Sequence, residues 1–520
     1  MIAVANEGVQ LTTDILVLGG GPAGAWAAIT AAESGAAVVL ADKGRMGTSG
    51  ATAAVNTAVI DVAPFSASRR QVLKRRLERG LGLARADWIE SMVDETHLQL
   101  GRLATWGYEF PIDDRGQTYR GHLRGPDYMQ TLRRRLHGLR VKLLEHSPAL
   151  GLLMSDGEVA GGRGVARSGE PWTVRAGAVV VATGGCAFMS KALGTYGLTG
   201  DGLLMAAETG AVLSGMEFSG QYGVCHVAAT VTKNLIYDWA TFTDESGRKL
   251  EGEDIFELLA RNLPLGPVYA IIDKATPAIQ EGLRRGQSNI FLPLDRQGID
   301  PFRQRFPVTL CYEGTVRGVG GLRIDAQGAT SVPGLYAAGD AASREAIVGA
   351  VSGGGGPNST WAIASGSWAG RSAATHAARL GRNANERKAD PVECAGAPRE
   401  SAIAPEDAAS SISAAQAEMF PLERNFTRDE GTIRDSLHRL DATWRALLTA
   451  RHVHQDRRLL CRSREAVAML ATARWIYASA LKRRETRGIH RRRDHPKLSP
   501  AQSWRLEVGG FDRIIVEPAR

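Results

Sequence analysis

Asp14-Ile15-Leu16-Val17-Leu18-Gly19-Gly20-Gly21-Pro22-Ala23-Gly24-Ala25-Trp26-Ala27-Ala28-Ile29 is the stretch on which the fold turns. Ile15 to Leu18 is a short apolar run suited to a parallel strand buried on both faces. Gly19, Gly21 and Gly24 then stand in the spacing G-x-G-x-x-G, with Pro22 and Ala23 between them, and Ala25 to Ile29 reads as a helix. In that context Gly19 allows a tight turn, Gly21 lets a pyrophosphate approach the backbone, and Gly24 permits close packing of helix on strand. Ala37 to Ala41 supplies a second apolar strand and ends at Asp42, eighteen residues beyond Gly24. An acid at that place hydrogen-bonds the ribose hydroxyls of an adenosine moiety.

Working outward, Ala178 to Ala182 is another buried strand and runs into Thr183-Gly184-Gly185. A further one lies within Thr330 to Ala338 and ends at Gly339-Asp340. Open parallel sheets bind ligands at these carboxyl edges. A cofactor that meets residues near 20, 50, 183 and 340 is long and threaded through its domain, which fits FAD better than NAD.

The remaining sequence bounds the class. A chain of 520 residues, 44% hydrophobic and 23% charged, exceeds one core and predicts two or three domains. It is neither disordered nor a repeat, and no run of eighteen apolar residues predicts a membrane span. The start, Met1 to Glu7, has no basic segment followed by an apolar one, so a cytoplasmic setting is expected. Five dispersed cysteines without a C-x-x-C pair predict no disulfide framework, no iron–sulfur cluster and no metal site. From Pro405 on there are 22 Lys+Arg against 15 Asp+Glu, which accounts for almost all of the net charge of +8. Runs such as Lys482-Arg483-Arg484 and Arg491-Arg492-Arg493 come without a nucleic-acid-binding motif, so they read as a solvated helix face or a surface for an acidic partner. An anionic substrate fits the same charges.

Several blocks make the chain resemble the succinate dehydrogenase/fumarate reductase flavoprotein family, which includes L-aspartate oxidase and adenylylsulfate reductase. They are the glycine loop, Thr48 to Ala53, Thr199-Gly200-Asp201-Gly202, Met216-Glu217-Phe218, Gly320 to Asp325, Gly339-Asp340, Gly353 to Ser359, and Arg487 to Asp494. The resemblance implies that Gly19, Gly21, Pro22, Ala23 and Gly24 hold the pyrophosphate, and that Asp42 with Lys43 meets the adenosine side. It implies that Ser49, Gly50 and Ala51 pass along the isoalloxazine edge, with Thr183, Gly184, Asp201, Gly339, Asp340, Asn358 and Ser359 completing the cradle. Several relatives tether FAD through a histidine in the Ser49 segment. Here Gly50 stands at that place, which implies FAD bound without a covalent link.

The substrate side departs from the family pattern. The histidine expected before the Gly-Gly pair is replaced by Thr315-Val316-Arg317-Gly318-Val319, the loop near Asn358 lacks its arginine, and Gln221-Tyr222-Gly223 precedes a displaced His226. Succinate or fumarate is therefore not the expected substrate. The resemblance makes Arg261 a proton donor or acceptor near the flavin. Arg317 is a candidate anion clamp, Tyr312 and Glu313 a candidate proton relay, and Arg487 and His490 candidate braces from the C-terminal region.

The expected fold class is α/β: a doubly wound, Rossmann-like FAD domain over 1–220 and 320–400, an inserted α+β capping domain over 221–319, and a helical bundle over 401–520. Asn383 to Ala414 reads as a linker, and Asp435 to Ala450 and Arg464 to Arg484 as helices. Val467, Leu470, Ala471, Trp475 and Ala478 would form one apolar face. The expected activity is hydride transfer between flavin N5 and a small anionic substrate such as an amino acid, an N-substituted amino acid or another carboxylate. Two further readings stand beside it: an adenylylsulfate-reductase-like subunit working with an iron–sulfur partner, and a non-catalytic flavin-binding electron-transfer subunit. An oligomer is compatible with all three.

Overall fold

A computed structural model describes residues 8–519 except 114, 233–234, 353, 382–386, 399–400 and 451–455. Met1 to Glu7, Gly353 of the glycine loop and the start of the expected linker, 383–386, lie outside the described residues.

The apolar run at the start forms the strand Val9–Leu18, paired in parallel with Val38–Ala41 on one side and Pro171–Val181 on the other. Lys142–Leu144 extends the sheet beyond Val38–Ala41, also in parallel. Pro171–Val181 is shared along its other edge. Its first half pairs antiparallel with Glu158–Val165, and its last residues pair in parallel with Leu335–Ala337. Successive strand residues face opposite ways, so Ile15 and Val17 enter one apolar core while Leu16 and Leu18 enter the other. That is why the run is continuously apolar rather than alternating. Pro22 pre-sets the first turn of the helix Pro22–Glu33, whose N-cap Gly21 has no capping side chain. The long helix Gly355–Leu380 lies against it, with Gly366 and Gly370 packed on the carbonyls of Ala23 and Ala27.

Residues between the two parts of this sheet build a separate antiparallel sheet, in the order Tyr222–His226, Phe306–Tyr312, Val268–Ile271, Thr241–Thr243. It has its own apolar cluster of Val224, Ile236, Leu259, Phe291 and Val308.

The C-terminal region contains the helices Pro405–Met419, Glu430–Leu448 and Arg457–Lys482. The expected linker is thus helical from Pro405 on, because its alanines pack: Ala408, Ile412 and Ala415 join the main core. Arg457–Lys482 is not amphipathic with one apolar face, as expected. Ala466 to Tyr477 are all buried, since the helix runs through a core shared with Leu203, Met216 and Phe218 of the flavin domain, while Ala478 is only partly covered. Two strands follow the helices. Leu506–Gly509 pairs with Ile515–Pro518 and with Leu213–Ser214, stitching the chain end to the flavin domain.

Each basic C-terminal run buries its middle arginine, Arg483 or Arg492, while Lys482, Arg484 and Arg493 stay exposed as a solvated face would. Arg483 is fully buried between Glu217, 2.7 Å away, and Glu485, 3.0 Å away, and Arg487 shares Glu485 at 2.7 Å. Arg492 is buried on Asp494 at 2.7 Å, whereas Arg484 and Arg493 remain exposed. Burying an arginine without a partner is costly, which explains the matching carboxylates.

Beside this network Glu345 and Glu217 are both buried, and Glu345 Oε1 and Glu217 Oε2 have no hydrogen-bond partner among the described residues. Burial, then repulsion by Glu217, raises Glu345 from 4.5 to about 7. An acid with a raised folded pKa holds its proton longer in the folded than in the unfolded chain. Its contribution to stability is therefore full below about pH 4.5 and is lost as pH rises towards about 7. Denaturant melts across that window are expected to show a loss on the order of 2–3 kcal/mol. In Glu345→Gln this fall is expected to vanish. An unchanged pH profile in the variant would assign the titration elsewhere.

Candidate active site

The carboxyl ends of the central strands open into a cavity of about 840 Å³. Gly19, Gly21, Pro22, Ala23, Asp42 and Lys43 form one end of its wall, together with Ser49, Gly50, Ala51, Thr183, Gly184 and Asp201. Gly339, Asp340, Asn358 and Ser359 continue it toward Glu313 and Arg317. Residues far apart in sequence are thereby brought together on one surface.

Gly19 turns the chain at φ +106°, where its α-hydrogen side meets the Ala182–Thr183 backbone and a side chain would not fit. Gly24 does not line the cavity; it packs against the Gly19 carbonyl. Asp42 accepts hydrogen bonds from the Gly20 and Gly44 amides, the latter at 2.7 Å, so its carboxylate is fixed at the strand end. Lys43 is held by Asp201 at 2.9 Å and Glu465 at 2.6 Å. Burial opposes its charge, but these two carboxylates outweigh burial and raise its pKa above the ordinary lysine value. Lys43 and Asp201 thus hold each other, which spacing alone does not reveal, and Glu465 comes from the C-terminal helix.

The helix Gly355–Leu380 starts at the cavity wall, with Gly354 as its N-cap and Gly355, Gly356 and Asn358 lining the space. Its first-turn amides and dipole favour negative charge there. Thr57 and Ser359 share a hydroxyl hydrogen bond of 2.5 Å beneath it.

At the other end, Glu313 is fully buried and lies 2.6 Å from Arg317 Nη1. Thr232 joins the pair: its hydroxyl donates to Glu313 at 2.5 Å, and Arg317 Nη1 donates to its carbonyl at 2.7 Å. Asp340 is bound by the buried Arg344, which also donates to the carbonyls of Thr315 and Gly318, both at 2.7 Å. Burial raises the Asp340 pKa, with Arg344 and Arg317 opposing. Gln221, Thr232, Ser352 and Arg344 are functional neighbours that the sequence did not single out as ligands of this end. Only Gln221 carried a signal, as the residue standing where a histidine was expected.

Besides Gly24, five expected site residues are not on the cavity wall. Arg261 is exposed on the helix Ile255–Asn262. Tyr312 is buried between Phe188, Tyr222 and Phe420 and donates its hydroxyl to Ser219 O at 3.0 Å. Burial raises its pKa, and it stands off the cavity wall with its hydroxyl already donated, which is not the place expected of a relay. His226 is buried in the capping sheet, its pKa lowered by that burial. Its Nδ1 accepts from Ala228 N at 3.1 Å. Arg487 is spent on Glu485 and the Leu81 and Ser499 carbonyls. His490 is buried, and burial followed by Arg428 pushes its pKa well below 6.5. The neutral ring donates from Nε2 to Arg483 O at 3.1 Å and accepts at Nδ1 from Arg428 at 3.2 Å.

The cradle fits a dinucleotide. Ser49 Oγ, Thr183 Oγ1 and Asn358 Oδ1 are buried polar atoms without a partner among the described residues, and each belongs to a residue of the cavity wall. Nothing lies within 4 Å of where a Cβ on Gly21 would stand. Unpaired buried polar groups are costly, and a bound cofactor supplies what these lack. Fold and cavity together define an FAD-dependent oxidoreductase. A family model described as FAD binding domain matches residues 14–222, and one described as fumarate reductase flavoprotein C-term matches residues 425–507. The chain belongs to the succinate dehydrogenase/fumarate reductase flavoprotein family. L-aspartate oxidase of Mycobacterium leprae is 28% identical over 543 aligned residues, covering 94% of this chain and 93% of that protein. The FrdA chain of E. coli quinol fumarate reductase superposes with a TM-score of 0.82 at 19% identity, over 98% of this chain and 97% of that one. Adenylylsulfate reductase from Archaeoglobus fulgidus gives 0.77 at 17%, over 99% and 97%. Among the described residues no helix is long and apolar enough to cross a membrane.

Proposed function

We propose that this enzyme moves a hydride between flavin N5 and a carbon of a small carboxylate, amino acids and N-substituted amino acids first among them. The observation that carries the reading is Arg317, which lines the cavity with its side chain 19% exposed and is held by Glu313 and Thr232. Its bonds to the described residues run through Nη1, which leaves the Nε/Nη2 edge to take a carboxylate in two parallel hydrogen bonds. Glu313 and Thr232 hold the guanidinium in place, so little side-chain freedom is lost on binding. An arginine moves protons only with a neighbouring carboxylate's help, and Glu313 stands at 2.6 Å. In this reading Arg317, not the exposed Arg261, handles the substrate proton. FAD, when bound, supplies the two-electron acceptor.

Anaerobic mixing of the holoenzyme with acidic amino acids, N-substituted amino acids, dicarboxylates, and sulfite with AMP tests this reading. Bleaching of the flavin by an amino acid is expected. Bleaching only by sulfite with AMP would instead favour the adenylylsulfate-reductase-like reading, and dithionite alone acting would favour an electron-transfer subunit. Recovery in air separates an oxidase from a dehydrogenase that needs a protein acceptor.

Gly50 lines the cavity and offers no side-chain nucleophile. Acid precipitation is therefore expected to release all the flavin to the supernatant. Yellow colour retained by the pellet would overturn non-covalent binding.

A further inference from the structure

Cys225 lies in the strand Tyr222–His226 and Cys311 in Phe306–Tyr312. In their antiparallel register Cys225 stands opposite Thr309, and Gly223 stands opposite Cys311. Side chains alternate along a strand, so the two cysteines are diagonal neighbours on one face. Val224 and Val308 fill the capping core from the other face. The cysteine face is the one that carries Glu313, since a Cβ on Gly223 would lie 3.0 Å from the Glu313 carboxyl. Cys225 is buried and Cys311 half-buried. The Cys225 thiol and the Lys191 and Ala192 amides are the neighbours of the Cys311 sulfur, which itself donates to Tyr312 O at 3.9 Å. These neighbours, Cys225 first, lower the Cys311 pKa against burial, while the bond to Cys311 and then burial raise that of Cys225. The half-buried Cys311 sulfur is the one a peroxide reaches, and the buried Cys225 sulfur is its resolving partner.

We propose that Cys225 and Cys311 are a modification site, a dithiol that a peroxide converts reversibly into a disulfide that disturbs the Glu313–Arg317 end of the cavity. The proposal rests on the reading of that end as the one that binds substrate. The Cys311 thiolate attacks a peroxide oxygen, the O–O bond breaks, and after protonation one water and a sulfenic acid result. Cys225 sulfur then attacks the Cys311 sulfur, a second water leaves carrying the Cys225 proton, and the S–S bond forms. Two thiols are oxidised by two electrons and one peroxide is reduced to two waters. Diagonal neighbours have Cα atoms about 7–8 Å apart, whereas a disulfide closes at roughly 4.4–6.8 Å. Closure therefore shifts one strand along the other, and Glu313 follows directly on the moving strand.

The holoenzyme is treated with a small excess of hydrogen peroxide, alkylated and digested without reduction, and its cysteine peptides are mapped by mass spectrometry. In parallel, oxalate is titrated against the flavin spectrum as an anion probe of the Arg317 end, before oxidation, after it, and after dithiothreitol. A Cys225–Cys311 crosslink is expected, with oxalate affinity at least about fivefold weaker in the oxidised protein and restored on reduction. Cys225→Ser is expected to abolish both effects and leave a Cys311 sulfenic acid trappable by dimedone, and Cys311→Ser to abolish the sulfenic acid as well. Absence of the crosslink in the wild-type protein overturns the site whether or not the variants fold. A crosslink with unchanged oxalate affinity overturns the coupling to the cavity. Oxalate binding to neither form removes the substrate-end reading of Arg317 and the coupling with it.

Discussion

Gly21→Val is expected to give a folded protein that no longer retains FAD. Gly21 has φ −71° and ψ −178°, extended backbone that any residue adopts, and a Cβ there would meet nothing within 4 Å. The added side chain strains no protein contact and protrudes into the cavity where the phosphates approach the helix N-terminus. Apo-protein stability is expected to change by no more than about 0.5 kcal/mol, while FAD affinity falls on the order of 100-fold, about 2.8 kcal/mol. Three residues on, the same class of change has the opposite signature. A Cβ at Gly24 would drive into the Gly19 carbonyl oxygen, a backbone atom that cannot swing aside. Gly24→Ala is expected to cost roughly 2–3 kcal/mol of fold stability and to lose flavin as a consequence. Thermal melts of the apo-proteins and calorimetric titration with FAD separate the two. Native FAD affinity in Gly21→Val would show that the pyrophosphate does not pass there.

Arg317→Met should affect both stability and turnover. Glu313 is fully buried with the Arg317 guanidinium 2.6 Å away. Removing one member of such a pair costs about 3 kcal/mol, because the other charge stays buried. Substrate-driven flavin reduction is expected to fall at least about 100-fold as the proposed bidentate carboxylate contact goes. Adding Glu313→Gln to Arg317→Met neutralises the buried carboxylate, so stability should recover in the double variant while flavin reduction does not. Denaturant melts and anaerobic reduction rates form the double-mutant cycle. Wild-type reduction rates in Arg317→Met would displace this residue from the substrate site.

The flavin half of the molecule was legible because its determinants are local. An apolar run, a glycine spacing and an acid at the next strand end depend on backbone geometry within one strand–turn–helix unit, and Gly19, Gly21 and Asp42 stand where that geometry requires. The other half was not. Arg261 sits in a plausible order of motifs, yet it is exposed on the helix Ile255–Asn262. Tyr312 and Glu313 are adjacent in sequence, but one is locked among aromatic rings while the other faces Arg317.

By itself, the sequence determined the nucleotide-binding turn, the α/β class, the family and the absence of a histidine at Gly50, since each rests on residue identity at short range. Only the tertiary structure decided which arginines face the cavity. It paired Arg317 with Glu313 and Thr232, and buried Arg483, Arg487 and Arg492 on carboxylates as distant in sequence as Glu217. The physical reason is that a long charged side chain takes its direction from the partner that offsets its desolvation, and that partner is chosen by packing between elements rather than by spacing along the chain.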